Sequence, residues 1–318
     1  MDPVAAEKRI RPYVRETPLQ LSGRLTEATG ARVFLKLENA QETGAFKVRG
    51  AANRLLSLTP GEAARGIVTA STGNHALAVA TVGRRLGIPV EIFVSEHIEP
   101  RKRERIEAAG ARLRAVAGDA LAAELAARRE GERSGRPYVS PYNDPVVIEG
   151  QGTLAVEVLR QLAAQGAGPP DAIFVAVGGG GLIGGIGMHL ESASPATRVI
   201  GCWPENSPAL REALKAGAII EVAEKPTWST STAGGVEPGT VTLDICRRVV
   251  DRDVLVSEDE ILAAARRLYR EDRQLVEGAA GVAVASFLKT AGDFAGGTVV
   301  LVICGGNADP GFEAAVRA

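Results

Sequence analysis

Along the chain, short and almost uninterrupted apolar runs rich in Val and Ile alternate with longer stretches whose apolar residues recur every three or four positions. The short runs cover residues 32–38, 66–71, 90–94, 112–116, 172–177, 198–203 and 298–304. Because they lack strict apolar–polar alternation, they predict parallel strands covered on both faces. Helical spacing covers residues 74–86, 100–109, 120–131, 146–163, 181–190, 258–276 and 279–294. The alternation predicts an α/β fold with doubly wound sheets. Pro, Gly and Ser concentrate at 58–63 and 134–145, so a small lobe is expected between them, at 59–145, with 1–58 and 146–318 forming the larger one.

Four consecutive glycines, Gly178 to Gly181, stand between the run ending at Val177 and a helical stretch. Their cost in chain entropy needs an offset, and the usual one is backbone approaching a bulky anion at a helix N-terminus. The segment therefore reads as a phosphate cradle, the alternative being a flexible turn with no ligand. No Lys follows in the GxxxxGK[ST] spacing, which argues against a nucleoside-triphosphate loop. The next strand ends in Trp203 rather than an acid, which weakens a dinucleotide reading.

At 318 residues, 45% apolar and 24% charged, the chain has the make-up of a soluble globular protein. A formal charge of −1 offers no case for nucleic acid or an anionic membrane. No apolar run reaches bilayer length. Cys202, Cys246 and Cys304 form no CxxC pair, which argues against structural zinc and suits a reducing cytosol. With no apolar signal-peptide core at the N-terminus, the cytoplasm is the expected location. The cluster at 101–105 reads as a solvated helix face.

Three further segments carry candidate chemistry at strand C-termini. In Thr43-Gly-Ala-Phe-Lys47-Val-Arg-Gly50, Lys47 opens an apolar helical stretch. A partly buried Lys has a depressed pKa and serves as a Schiff-base nucleophile and proton carrier; a snorkelling surface Lys is the alternative. Ser71-Thr72-Gly73-Asn74-His75 follows a strand and opens a helix, so it offers N–H groups and hydroxyls to a carboxylate, or is a plain N-cap. In Val302-Ile303-Cys304-Gly305-Gly306-Asn307 a thiol ends an apolar strand, where a lone Cys is usually a small buried hydrophobe.

In order and spacing, the four segments together resemble the fold-type II pyridoxal-phosphate enzymes, in the branch of threonine and serine dehydratases and serine racemase. The resemblance spans nearly the whole chain, from Arg11-Pro-Tyr-Val-Arg-Glu-Thr-Pro-Leu19 through Lys36-Leu-Glu-Asn39, Glu149-Gly-Gln-Gly-Thr153 and Glu277-Gly-Ala-Ala-Gly281 to Gly305-Gly-Asn307. It implies a tryptophan synthase β-like fold of two domains with pyridoxal 5′-phosphate between them, the large domain binding the cofactor and the small one mobile. It implies that Lys47 binds the cofactor aldehyde and shuttles the Cα proton, and that Phe46 and Gly235 sandwich the ring. Asn74 would partner the 3′ oxygen, and Gly178, Gly179, Gly180, Gly181 and Leu182 the phosphate. Ser71, Thr72, Gly73, Asn74 and His75 would grip the substrate carboxylate, and Cys304 would face the pyridine nitrogen. A neutral thiol there makes the ring a weaker electron sink, which favours elimination over transamination.

The implied activity is a dehydratase, or ammonia-lyase, that converts a threonine- or serine-type β-hydroxy-L-amino acid to a 2-oxo acid and ammonia. The implied assembly is a homodimer or higher homo-oligomer. The alternatives are a dehydratase of a bulkier substrate such as phenylserine, a serine racemase-like isomerase in which Thr72 takes the place of the opposite-face serine, and a non-catalytic phosphate-ligand binder. The departures from the family pattern shape further expectations. Cys202-Trp203-Pro204 replaces Ala-Glu-Pro, which removes a hard-cation ligand, so no metal is expected. Ser231-Thr232-Ala233-Gly234-Gly235 lacks the family's Asp, so an acid near the site is expected to be missing. No cation is expected near the pocket, which speaks against 3-hydroxyaspartate. The chain leaves no room for a regulatory domain, so isoleucine feedback is not expected.

Overall fold

The continuous apolar runs form two separate sheets. The computed structural model describes residues 1–118 and 120–318. Its strands are β1 (Leu19–Leu21), β2 (Arg32–Leu37), β3 (Ile67–Ala70), β4 (Val90–Ser95), β5 (Arg112–Val116), β6 (Ala172–Ala176), β7 (Arg198–Pro204), β8 (Arg252–Val256) and β9 (Thr298–Ile303). Six of them make one sheet in the order β1-β2-β9-β6-β7-β8, and β3-β4-β5 make the other. All pairings are parallel except that of the short edge strand β1 with β2. Seven strands lie where the apolar runs predicted them, but β5 is an edge strand with no buried residue rather than one covered on both faces. The sequence reading missed β1, which is three residues long, and β8, which opens on the exposed pair Arg252-Asp253.

The helices are α1 (Pro3–Ile10), α2 (Gly23–Thr29), α3 (Lys47–Leu56), α4 (Pro60–Arg65), α5 (Asn74–Leu86), α6 (Pro100–Ala108), α7 (Ala120–Ser134), α8 (Pro145–Ala164), α9 (Gly181–Ala193), α10 (Ala209–Ala216), α11 (Thr242–Val249), α12 (Glu258–Arg267), α13 (Gly278–Thr290) and α14 (Pro310–Arg317). Part of the break at 58–63 is a helix start: Thr59 caps α4 in a reciprocal capping box with Glu62, and Pro60 sits at the first helical position. The helix expected over 258–276 ends earlier. A π-helical turn, Leu268–Asp272, follows α12, and Arg273 closes it with a left-handed φ of 59°.

The larger core fills both faces of the six-stranded sheet, where Phe174 meets Phe287 and Phe294 edge to face at centroid distances of 5.4 and 5.3 Å. A second core joins Ile67, Val79 and Ile92 around the small sheet to Val48, Ala52 and Leu55 of α3. The polar face of α3 meets a fully buried ion cluster. Arg49 binds Glu38 at 2.8 Å and Glu157 of α8 at 2.7 Å, and Lys36 binds Glu157 at 2.7 Å. α3 is thereby fixed to β2 and α8, with Lys47 at its first position.

Candidate active site

The C-terminal ends of β3, β6 and β9 face a cavity of about 450 Å³ between the two sheets. Lys47, Phe46, Ser71 to His75, Gly178 to Leu182, Gly235 and Cys304 all line it, so the candidate site residues of five distant segments meet in one place. Among the helices that open on this cavity, α5 behind Gly73 and α9 behind Gly180 start on glycine with no side-chain cap. Their first-turn N–H groups and positive dipole ends suit two anionic groups.

Lys47 is half-buried, and its Nζ donates to the Pro141 carbonyl at 2.9 Å while lying 5.1 Å from the centre of the Phe46 ring. Burial lowers its pKa to about 8, partly opposed by Cys304 and Glu277. Labelling of Lys47 by a small aldehyde with a reductant should therefore rise through pH about 8, where surface lysines titrate near about 10.4. Peptide mass spectrometry against pH checks this; a midpoint above pH 10 would contradict the burial effect.

His75 is present in the cavity wall, but its side chain turns to the Val139 carbonyl, 3.1 Å from Nε2. Burial, with Lys47 adding to it, pushes its pKa down to about 3, so the ring is neutral. Its contribution to an anion is the backbone N–H. Asn74 donates to Glu277 at 2.9 Å and accepts from Asn307 at 2.7 Å.

Glu277 corrects the expectation that the site lacks an acid. Its carboxyl accepts from Ser231 at 2.9 Å, inside the stretch that lost the family's Asp, and lies 3.8 Å from Cys304 Sγ. Burial raises its pKa, opposed by hydrogen bonds from Asn74, Ser231 and Cys304. Burial, then the Glu277 charge, also raises the Cys304 thiol, which keeps it neutral. Within Glu277-Gly-Ala-Ala-Gly281 the acid carries no role that the sequence alone assigns. The usable signal was a carboxylate directly preceding a helix of Gly, Ala and Val.

The Arg101–Arg105 reading also needs correction. Lys102 and Arg105 line the cavity, Lys102 paired to Asp309 at 2.8 Å and Arg105 donating to Asn307 at 2.9 Å. Cations therefore stand at the pocket. Trp203 is fully buried, and a Cβ on Gly201 would meet its ring at 2.3 Å, so its indole fills core space beside that glycine. Among the described residues no group of three or more His, Cys, Asp or Glu is arranged to hold a metal.

The glycine loop is shaped by close packing. A Cβ on Gly178 would lie 2.9 Å from the Thr232 carbonyl oxygen, and one on Gly179 would lie 2.4 Å from the Tyr142 ring. Gly180 has a φ of 84° and faces Leu210 and Cys246. Gly179→Val should weaken pyridoxal phosphate binding about 10- to 100-fold through overpacking. Adding Tyr142→Ala should restore most of it; no recovery in an equilibrium binding titration would place the clash elsewhere.

The family model "Pyridoxal-phosphate dependent enzyme" matches residues 10–305. The chain belongs to this family. L-threonine ammonia-lyase of Thermotoga maritima is 38% identical over 306 residues, 96% of this chain and 74% of the relative. The β-hydroxyaspartate dehydratase of Paracoccus denitrificans is 34% identical, covering 97% of this chain and 96% of its own. The structure of maize serine racemase superposes with a TM-score of 0.90 at 29% identity, over 97% of this chain and 93% of that one. The fold of this pyridoxal-phosphate dependent enzyme is fold-type II. The cavity fits the cofactor: a half-buried amine of lowered pKa stands with an uncapped helix N-terminus for a phosphate and a neutral thiol at the end of β9.

Proposed function

We propose that this enzyme is an ammonia-lyase that removes water from a β-hydroxy-L-amino acid and releases a 2-oxo acid and ammonia. The observation that carries this is the half-buried Lys47 amine set in one cavity with the uncapped N-termini of α5 and α9. Bound pyridoxal phosphate supplies an electron sink for the bond broken at Cα. Lys47 would hold the cofactor aldehyde and would take the Cα proton on Nζ, where a pKa of about 8 keeps much of the amine neutral near pH 8. Gly178 to Leu182 would bind the phosphate, Phe46 and Gly235 would flank the ring, and Asn74 would partner its 3′ oxygen. Ser71 to His75 orient the substrate carboxylate through the start of α5, with Thr72 presenting a hydroxyl at the cavity wall. Cys304 would face the pyridine nitrogen as a neutral partner, which would favour departure of the β-hydroxyl.

The substrates named for the relatives, threonine and β-hydroxyaspartate, share the β-hydroxyl and differ at the β-substituent. Threonine and serine are the first substrates to test. Incubation of the holoenzyme with a panel of β-hydroxy amino acids, scored for 2-oxo acid, ammonia and chirality of the remaining amino acid, checks the reading. Racemised serine with no 2-oxo acid would favour an isomerase instead, and an inert panel would remove the lyase assignment.

The lobe at 59–145 is proposed to move over the site. The contacts that link it to the larger lobe around the cavity include Lys102–Asp309, Arg105–Asn307, Arg128–Glu237 and the bonds of Asn74 to Glu277 and Asn307. A homo-oligomer is proposed on the family resemblance, and a cytoplasmic location on the three free cysteines. Among the described residues no helix is long and apolar enough to cross a membrane.

A further inference from the structure

We propose that Arg105 recognises a second carboxylate on the substrate's β-carbon, making this enzyme a dehydratase of the 3-hydroxyaspartate class. Arg105 sits on α6, exposed at the rim of the cavity and contributing to its wall. Its Nη2 donates to Asn307 Oδ1 at 2.9 Å, and it has no carboxylate partner among the described residues. The neighbouring Lys102, by contrast, is neutralised by Asp309 at 2.8 Å.

The orientation of Asn307 is fixed independently. Its Nδ2 donates to the Thr43 carbonyl at 2.9 Å, an atom that can only accept, and to Asn74 Oδ1 at 2.7 Å. Oδ1 is therefore the atom turned to Arg105, and the guanidinium is held by a neutral acceptor that leaves its charge uncompensated. A planar guanidinium with free donors matches a carboxylate in bidentate geometry.

The cavity offers more positive character than a small neutral substrate requires. On the lyase reading above, the start of α9 takes the cofactor phosphate and the start of α5 takes the α-carboxylate. Of the two acids in the wall, Asp309 is committed to Lys102, and Glu277 has a raised pKa and binds Asn74 and Ser231. Arg105 is left over. A methyl group beside it would cover part of its charge from water without replacing the lost hydration, whereas a carboxylate would replace it. The reaction stays redox neutral: the Cα proton and β-hydroxyl leave as water, the enamine tautomerises, and water returns to release ammonia and a 2-oxo dicarboxylate.

The test compares kcat/KM for L-3-hydroxyaspartate isomers and for L-serine in the holoenzyme and its Arg105→Ala and Arg105→Lys variants. In Arg105→Ala the ratio of hydroxyaspartate to serine efficiency should fall about 100-fold, with partial recovery in Arg105→Lys. A ratio within about threefold of wild type overturns the proposal, as does a wild type that deaminates serine but not 3-hydroxyaspartate. Calorimetric titration with succinate and propionate reads Arg105 without turnover. Arg105→Ala should weaken succinate about 10-fold more than propionate. Equal weakening of both would assign Arg105 to the α-carboxylate and overturn the proposal, as would no change. An enzyme inert toward every β-hydroxy amino acid would defeat the lyase reading, while the succinate titration would still decide the role of Arg105.

Discussion

Lys47→Ala is expected to lower turnover on the order of 10⁴-fold, because it removes both the covalent anchor for the cofactor aldehyde and the proton carrier at Cα. Lys47→Arg should be as inactive. A guanidinium keeps the positive charge but stays protonated, so this variant separates loss of the nucleophile from loss of charge. Borohydride reduction followed by peptide mass spectrometry gives a second readout, with the adduct on Lys47 in wild type and none in either variant. Lys102 is the natural control, since it lines the same cavity but is held to Asp309. Near-native activity in Lys47→Ala, or an adduct on Lys102, would reject the assignment.

The parallel strands were legible because burial on both faces writes a continuous apolar run, as in Ala172–Ala176, where every residue is buried. What escaped was short or locally capped structure. α4 was hidden because Thr59 and Pro60 read equally as a turn and as a helix start, and only the reciprocal bond to Glu62 decides between them. The candidate site was legible where chemistry is tied to a local motif, as with Lys47 and the glycine loop. Glu277 was not, since its meaning comes from the ends of β9 and α5, at Cys304 and Asn74. Arg105 escaped for a related reason: nothing along α6 distinguishes the basic residue facing the cavity from those facing water.

The second large effect concerns stability. Glu157→Gln should destabilise the protein by about 3–5 kcal/mol, because it leaves Lys36 and Arg49 buried against a neutral amide. The melting temperature should fall on the order of 10 °C. Burial alone would raise the Glu157 pKa, but Arg49 and Lys36 outweigh it and hold the carboxyl below its usual range. A carboxyl with a lowered folded pKa stabilises above its unfolded pKa, about 4.3, and loses that contribution as pH falls through the folded value. Wild type should therefore lose stability on acidification below about pH 4, and the Gln variant should lose less over the same range. Lys36→Met in the Glu157→Gln background should recover part of the loss by removing one uncompensated charge, a coupling that a double-mutant cycle measures directly. Additive effects would show that the cluster is not one electrostatic unit. The cluster also bears on catalysis, since Arg49 lies two residues from Lys47 on α3 and ties that helix to Glu38 and Glu157. Under conditions where Glu157→Gln remains folded, its loss of kcat should exceed any change in KM, because the defect is in where Lys47 Nζ stands rather than in how substrate is held.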